Sequence, residues 1–198
     1  MLKRVALFIA AVSLMTSCAW ASINWNDGEP MTLFLARHYH FDPVTVVSVG
    51  QIMQNYDDDT SVALFLSKLS GADPIEMLEM RVQGKSWLKV MDKFAIEPSV
   101  LFFDIGTKDL PGRYSYAFRQ YEKFKKDPGF KMQLYDGNVR DLVQLRLLKE
   151  GLGKKPEEVM KKTSEGVTFT EIIMDSIKND SVYRSPSEFY INDDIDGK

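Results

Sequence analysis

The sequence predicts an all-α fold: tandem helix-turn-helix hairpin repeats packed as one domain, with an irregular central connector. Three observations predict it. Apolar residues recur at helical spacing, as in Val62, Phe65, Leu66 and Leu69. Prolines stand directly after residues able to cap a helix, as in Asp42-Pro43 and Asp73-Pro74. The sequence also superposes on itself. A shift of 31 residues lays Leu33-Phe34-Leu35-Ala36-Arg37 and Asp42-Pro43 over Leu64-Phe65-Leu66-Ser67-Lys68 and Asp73-Pro74. A shift of 82 residues lays Gly71, Pro74, Glu76, Gly84, Ser86, Trp87, Val90 and Met91 over Gly153, Pro156, Glu158, Gly166, Thr168, Phe169, Ile172 and Ile173 without a gap.

The chain opens with the layout of an export signal. Lys3 and Arg4 form a positive start, Val5 to Met15 is apolar, and a small-residue polar segment runs from Thr16 to Ala21. The apolar run is about half the ~20 residues a membrane-spanning helix needs, so a cleaved signal over residues 1–21 is expected, not an anchor. Two processing routes stay open. Ala19-Trp20-Ala21 fits ordinary cleavage, whereas Met15-Thr16-Ser17-Cys18 is similar to a lipoprotein box, in which a signal of residues 1–17 leaves Cys18 as the lipidated first residue. The expected location is therefore the periplasm or the extracellular space, or a membrane face through lipid on Cys18. Cys18 is the only cysteine, so the folded part relies on its core and on no disulfide. Loss of Lys3 and Arg4 moves the net charge from −3 to −5, which argues against nucleic acid as a partner.

The remaining chain, about 175 residues, suits one ordinary domain over 22–180. In each repeat copy a helix ends near a glycine and the next begins at proline, whose φ is already helical and whose missing N–H the first turn would leave unpaired. Glu97-Pro98 and Lys155-Pro156 keep the proline with weaker caps. Ser86 caps a helix starting at Trp87, and Thr168 with Glu171 has capping-box spacing. Residues 106–137 depart from the pattern. Pro111-Gly112, Pro128-Gly129 and Asp136-Gly137 are turn signals, and the segment reads as an irregular connector with one short helix from Tyr116 to Lys125. Residues 181–198 are polar and acidic and read as a flexible tail.

Candidate chemistry is sparse. His38-Tyr39-His40-Phe41-Asp42 resembles the H-x-H-x-D element of zinc hydrolases of the metallo-β-lactamase type over five residues. Pro43 stands where that family has histidine, and the chain has two histidines in all, too few for a binuclear zinc site. At a helix end, both histidines read instead as partners of the helix dipole. Asp57-Asp58-Asp59 reads as the end of one helix and the start of the next, capped by Thr60 or Ser61, because Lys68 stands where a calcium loop needs its bidentate Glu. Asn192, Asp194, Asp196 and Gly197 match the first half of such a loop, and the sequence stops at Lys198 before the remaining ligands. The segment from Gly84 to Phe103 is similar to a DNA-binding helix-turn-helix, but Ser99 to Phe103 carries no side chain that reads base edges. Trp87 is expected as a core anchor.

Gly84-Lys85-Ser86-Trp87, with the upstream Asp73-Pro74 helix and the export signal, resembles exported all-helical proteins of Gram-negative bacteria. The resemblance runs from about Phe41 to Ile177 and implies fold and compartment, with no activity attached. No catalytic residue, cofactor site or metal site is assigned. The connector is the best candidate for a working surface, since tyrosine and arginine dominate binding hot spots; Arg113, Tyr114, Tyr116 and Arg119 are the partner-binding candidates. The functional expectation is a non-catalytic protein- or peptide-interaction module of the envelope. The alternatives are a metal-assisted hydrolase using Asp57, Asp58 or Asp59, and a structural component of envelope assembly. Partner identity and oligomeric state have no signature in the residues.

Overall fold

Five of the eight prolines stand at the first residue of a helix, because that position needs the φ proline already has and offers no partner for an N–H. The computed structural model describes residues 30–52, 57–105, 110–178, 180 and 183. In chain order the helices are α1 (Pro30–Tyr39), α2 (Pro43–Ile52), α3 (Asp57–Ser70), α4 (Pro74–Val82) and α5 (Trp87–Lys93). A short 3-10 turn follows at Pro98–Leu101, then α6 (Gly112–Lys126), α7 (Asp136–Leu152), α8 (Pro156–Ser164) and α9 (Phe169–Ile177). The fold is all-helical, with no strand among the described residues. None of the described helices is long and apolar enough to cross a membrane.

The local signals act as their chemistry requires. Asp42 Oδ1 accepts the amide of Val44 at 2.7 Å, and Asp73 Oδ1 accepts that of Ile75 at 2.8 Å. Glu97 and Lys155, the weaker caps, make no side-chain capping bond. Thr168 Oγ1 accepts the Glu171 amide at 3.2 Å while Glu171 Oε2 accepts the Thr168 amide at 2.7 Å, which completes the capping box. Helix α3 ends on Gly71 in the left-handed region, at φ 72°. Helix α1 ends the same way on His40 at φ 59°, a conformation that is strained for a side chain with a Cβ and is held by the Phe41 amide bonding back to the Ala36 carbonyl at 2.9 Å.

Helices α3 and α7 form the centre. Residues 59–67 of α3 are buried without interruption, and so are 141–145 of α7, so neither helix keeps a polar face toward water. Helix α3 packs on α7, α4, α2 and α1; helix α7 packs in addition on α8, α9, α6, α5 and the 3-10 turn. Trp87, Val90 and Met91 of α5, and Phe169, Ile172 and Ile173 of α9, all enter the core, with Trp87 fully buried.

Two segments fold differently from expectation. The connector contains the 15-residue helix α6, which begins four residues before Tyr116. Pro111 occupies its N-cap position, so Pro111-Gly112 starts a helix instead of bending a loop, and Tyr114, Ala117, Phe118 and Tyr121 form an i, i+3, i+4, i+7 stripe toward the core. Helix α3 begins at Asp57, ahead of the expected caps at Thr60 and Ser61. Acidic residues in a first turn suit the positive end of the helix dipole, and the buried Asp59 finds cationic partners there.

Candidate partner-binding surface

The most buried charge in the described fold is Asp59, at 1% exposure. Its Oδ1 accepts the Trp87 indole N–H at 2.9 Å and Arg140 Nε at 2.5 Å. Its Oδ2 accepts Arg140 Nη2 at 3.3 Å and Arg81 Nη2 at 3.4 Å. Arg81 also pairs with Asp136 at 2.8 Å and lies 4.9 Å over the Trp87 ring, while Asp136 accepts the Trp87 amide at 2.7 Å. Four donors and two guanidinium charges therefore occupy one carboxylate. The hydrogen bond to Asp59 holds the Arg140 guanidinium above its ordinary pKa. The two oxygens of Asp59 are thus filled by donors and leave no lone pair for a cation, and Asp58 accepts from Gln144 Nε2 at 3.2 Å. No group of three or more His, Cys, Asp or Glu suited to a metal occurs among the described residues.

The four partner-binding candidates fall into two roles. Arg113 forks onto Asp141, Nε to Oδ2 at 2.9 Å and Nη2 to Oδ1, which joins α6 to α7. Burial raises the Asp141 carboxyl above its usual range, and the Arg113 guanidinium opposes that rise. Tyr114 is 1% exposed, with its hydroxyl 2.8 Å from Thr163 Oγ1, and burial pushes its phenol up to about 12. Tyr114 thus belongs to the core, because its place on the inward stripe of α6 turns it to α8. Tyr116 and Arg119 stay at the surface. The Tyr116 ring stacks on the exposed Tyr135 at 5.3 Å, and Arg119 donates to Ser115 Oγ at 3.1 Å.

Arg119 lines a groove of about 810 Å³ with Phe103, Ile105, Phe118, Tyr121 and Glu122. The wall opposite α6 is fixed by α7. Arg146 Nη2 donates to the Phe102 carbonyl at 3.0 Å, and Lys149 Nζ to that of Asp104 at 2.6 Å. Both cations also lie over the Phe103 ring, and Phe102 stacks on Tyr121 at 4.3 Å with the planes 3° apart. A second groove, of about 660 Å³, opens between α5 and the segment that follows α6. Sequence reasoning passed over that segment, although Phe130-Lys131-Met132-Gln133-Leu134 carries a period-two pattern.

His38 sits at the end of α1, stacked on Phe34 at 6.1 Å and edge-on to Tyr39 at 4.7 Å. Burial, then the charges of Lys68 and His40, lower its imidazole to about 4. A neutral ring gives little to the helix dipole. Cations at that helix end are Arg37 in its last turn and Lys68 of α3, which donates to the His38 carbonyl at 3.2 Å. Cys18 and the acidic tail residues Asn192, Asp194 and Asp196 lie outside the described residues, while Tyr183 sets its ring edge-on to Phe34 at 5.6 Å.

No protein family, no curated protein and no solved structure matches this chain.

Proposed function

We propose that the protein is an exported, non-catalytic module that binds a protein or peptide partner in the cell envelope. The observation that carries this reading is the contrast between its acidic residues and its grooves. Asp59 and Asp141 are each held by guanidinium partners, whereas α6 is flanked by two open grooves lined with aromatic side chains. Export is supported by the charged start, short apolar run and small-residue segment of residues 1–21. A derivation from repeated hairpins α1–α2, α3–α4 and α7–α8 is supported by the recurrence of proline at the start of the second helix and of a left-handed residue at His40, Gly71 and Gly153.

The test pairs Tyr116→Ala with Arg119→Ala in a cross-linking pull-down from envelope extracts. Loss of the partners captured by the unaltered chain is the expected outcome; an unchanged set removes the Arg119 groove from the proposal. Intact mass of the protein from membrane and soluble fractions separates a diacylglyceryl Cys18 from a chain that begins at Ser22.

A further inference from the structure

We propose that residues 130–134, whose first three, Phe130, Lys131 and Met132, line a groove with α5, receive an extended polypeptide segment of a partner, which adds to that run as a strand would. The proposal rests on the reading of the protein as an interaction module and specifies the occupant.

Burial alternates along the run. Phe130 and Met132 are half-buried and Leu134 is buried, while Lys131 and Gln133 are exposed. That period of two is the mark of extended backbone in an otherwise helical fold. The Gln133 amide donates to Oε1 of the buried Gln120 on α6, at 3.2 Å. In extended backbone the N–H and C=O of successive residues point to opposite edges, so those of Met132 and Leu134 turn away from α6. Neither of these two amides has a hydrogen-bond partner among the described residues. A backbone edge of this kind is completed by another backbone, as in strand addition.

The adjoining groove suits the side chains of such a segment. Leu88, Ile96, Phe124 and Phe130 offer apolar surface, and Met132 can adjust to different shapes. The rim carries both signs, Lys89 and Lys131 against Asp92 and Glu97. A balanced rim gathers neither phosphate nor an anionic membrane, both of which need a surplus of cations. Five extended residues span about 16 Å, so the run recognises a segment of about that length, with apolar side chains at alternate positions.

The experiment selects linear peptides of about twelve residues from a displayed random library against the mature chain, then measures one selected sequence beside a copy N-methylated at every second amide. Expected are an alternating apolar pattern, slowed hydrogen exchange at the amides of Met132 and Leu134 in the complex, and roughly tenfold or greater weakening by N-methylation in one of the two registers. Phe130→Ala should weaken the same peptide without changing the circular dichroism of the protein. Equal binding of both methylated registers, or protection confined to residues around Arg119, overturns strand addition. A library that yields no binder also overturns it, whereas the pull-down with Tyr116→Ala and Arg119→Ala judges the broader reading independently.

Discussion

The indole N–H of Trp87 reaches Asp59 Oδ1 at 2.9 Å across 28 positions of chain, with both residues essentially closed to solvent. This bond ties the start of α5 to the first turn of α3, and Arg81 and Arg140 complete the acid's partners from α4 and α7. Removing the acid takes the carboxylate partner from Arg140 and leaves Arg81 with Asp136 alone; removing the indole leaves the ion pairs in place.

Asp59→Ala is therefore expected to cost about 3–5 kcal/mol of unfolding free energy, the range for breaking a buried pair on one side. Trp87→Phe keeps an aromatic body and loses one donor, so about 1–3 kcal/mol is expected. Urea titrations of both variants and the double variant check this. A double-variant cost equal to the sum would mean that the two side chains do not act together.

Gly151 and Gly50 should respond in opposite directions to alanine. A Cβ on Gly151 would lie 2.9 Å from Phe34 Cζ and 3.0 Å from His38 Nδ1, at the contact of α7 with α1. Gly151→Ala is expected to destabilise by about 1–3 kcal/mol, as overpacking does. Gly50 lies within α2 with nothing inside 4 Å of the added carbon, so Gly50→Ala should stabilise by about 0.5–1 kcal/mol through helix propensity. Thermal melts that moved both variants the same way would contradict the packing described at Gly151.

His38 makes stability depend on acidity. Its folded value, about 4, lies below the 6.5 of the free side chain, so the unfolded chain binds the proton first. The contribution is complete above pH 6.5 and is lost as pH falls toward 4. Proton NMR should show one histidine titrating near 4, and His38→Phe should flatten the decline of stability between pH 6.5 and 4. A titration of His38 near 6.5 would refute the assignment.

Tyr114→Phe separates core from surface. The loss of the hydroxyl facing Thr163 should cost about 0.5–1.5 kcal/mol while leaving partner capture unchanged. Reduced capture by a fully folded Tyr114→Phe protein would return this residue to the binding surface.

Much of the fold was legible because its punctuation is local. A capping oxygen bonds two or three residues ahead and a proline fixes its own φ, so Asp42-Pro43, Asp73-Pro74 and the Thr168–Glu171 box could be read from neighbouring residues. The helix expected from Tyr116 to Lys125 lies within α6, but its first turn was missed because Pro-Gly has two uses, and packing of Tyr114 against Thr163 favours the helical one. The acidic cluster was less legible still. Asp59 and Arg140 are 81 positions apart, and no local pattern announces that a carboxylate beside two other acids will be the one enclosed. Arginine and tyrosine content drew the binding candidates from one helix, α6, but the helical turn angle decides which of them face outward.

Helices α3 and α7 have neighbours on every side, so neither can be peeled away while the rest persists. The outer helices each lean on this pair and can loosen singly, which divides the molecule into a late-melting axis and an early-melting shell. A protease that nicks the periphery should thus leave a resistant remnant containing both central helices, and any motion that admits a partner must arise in the shell.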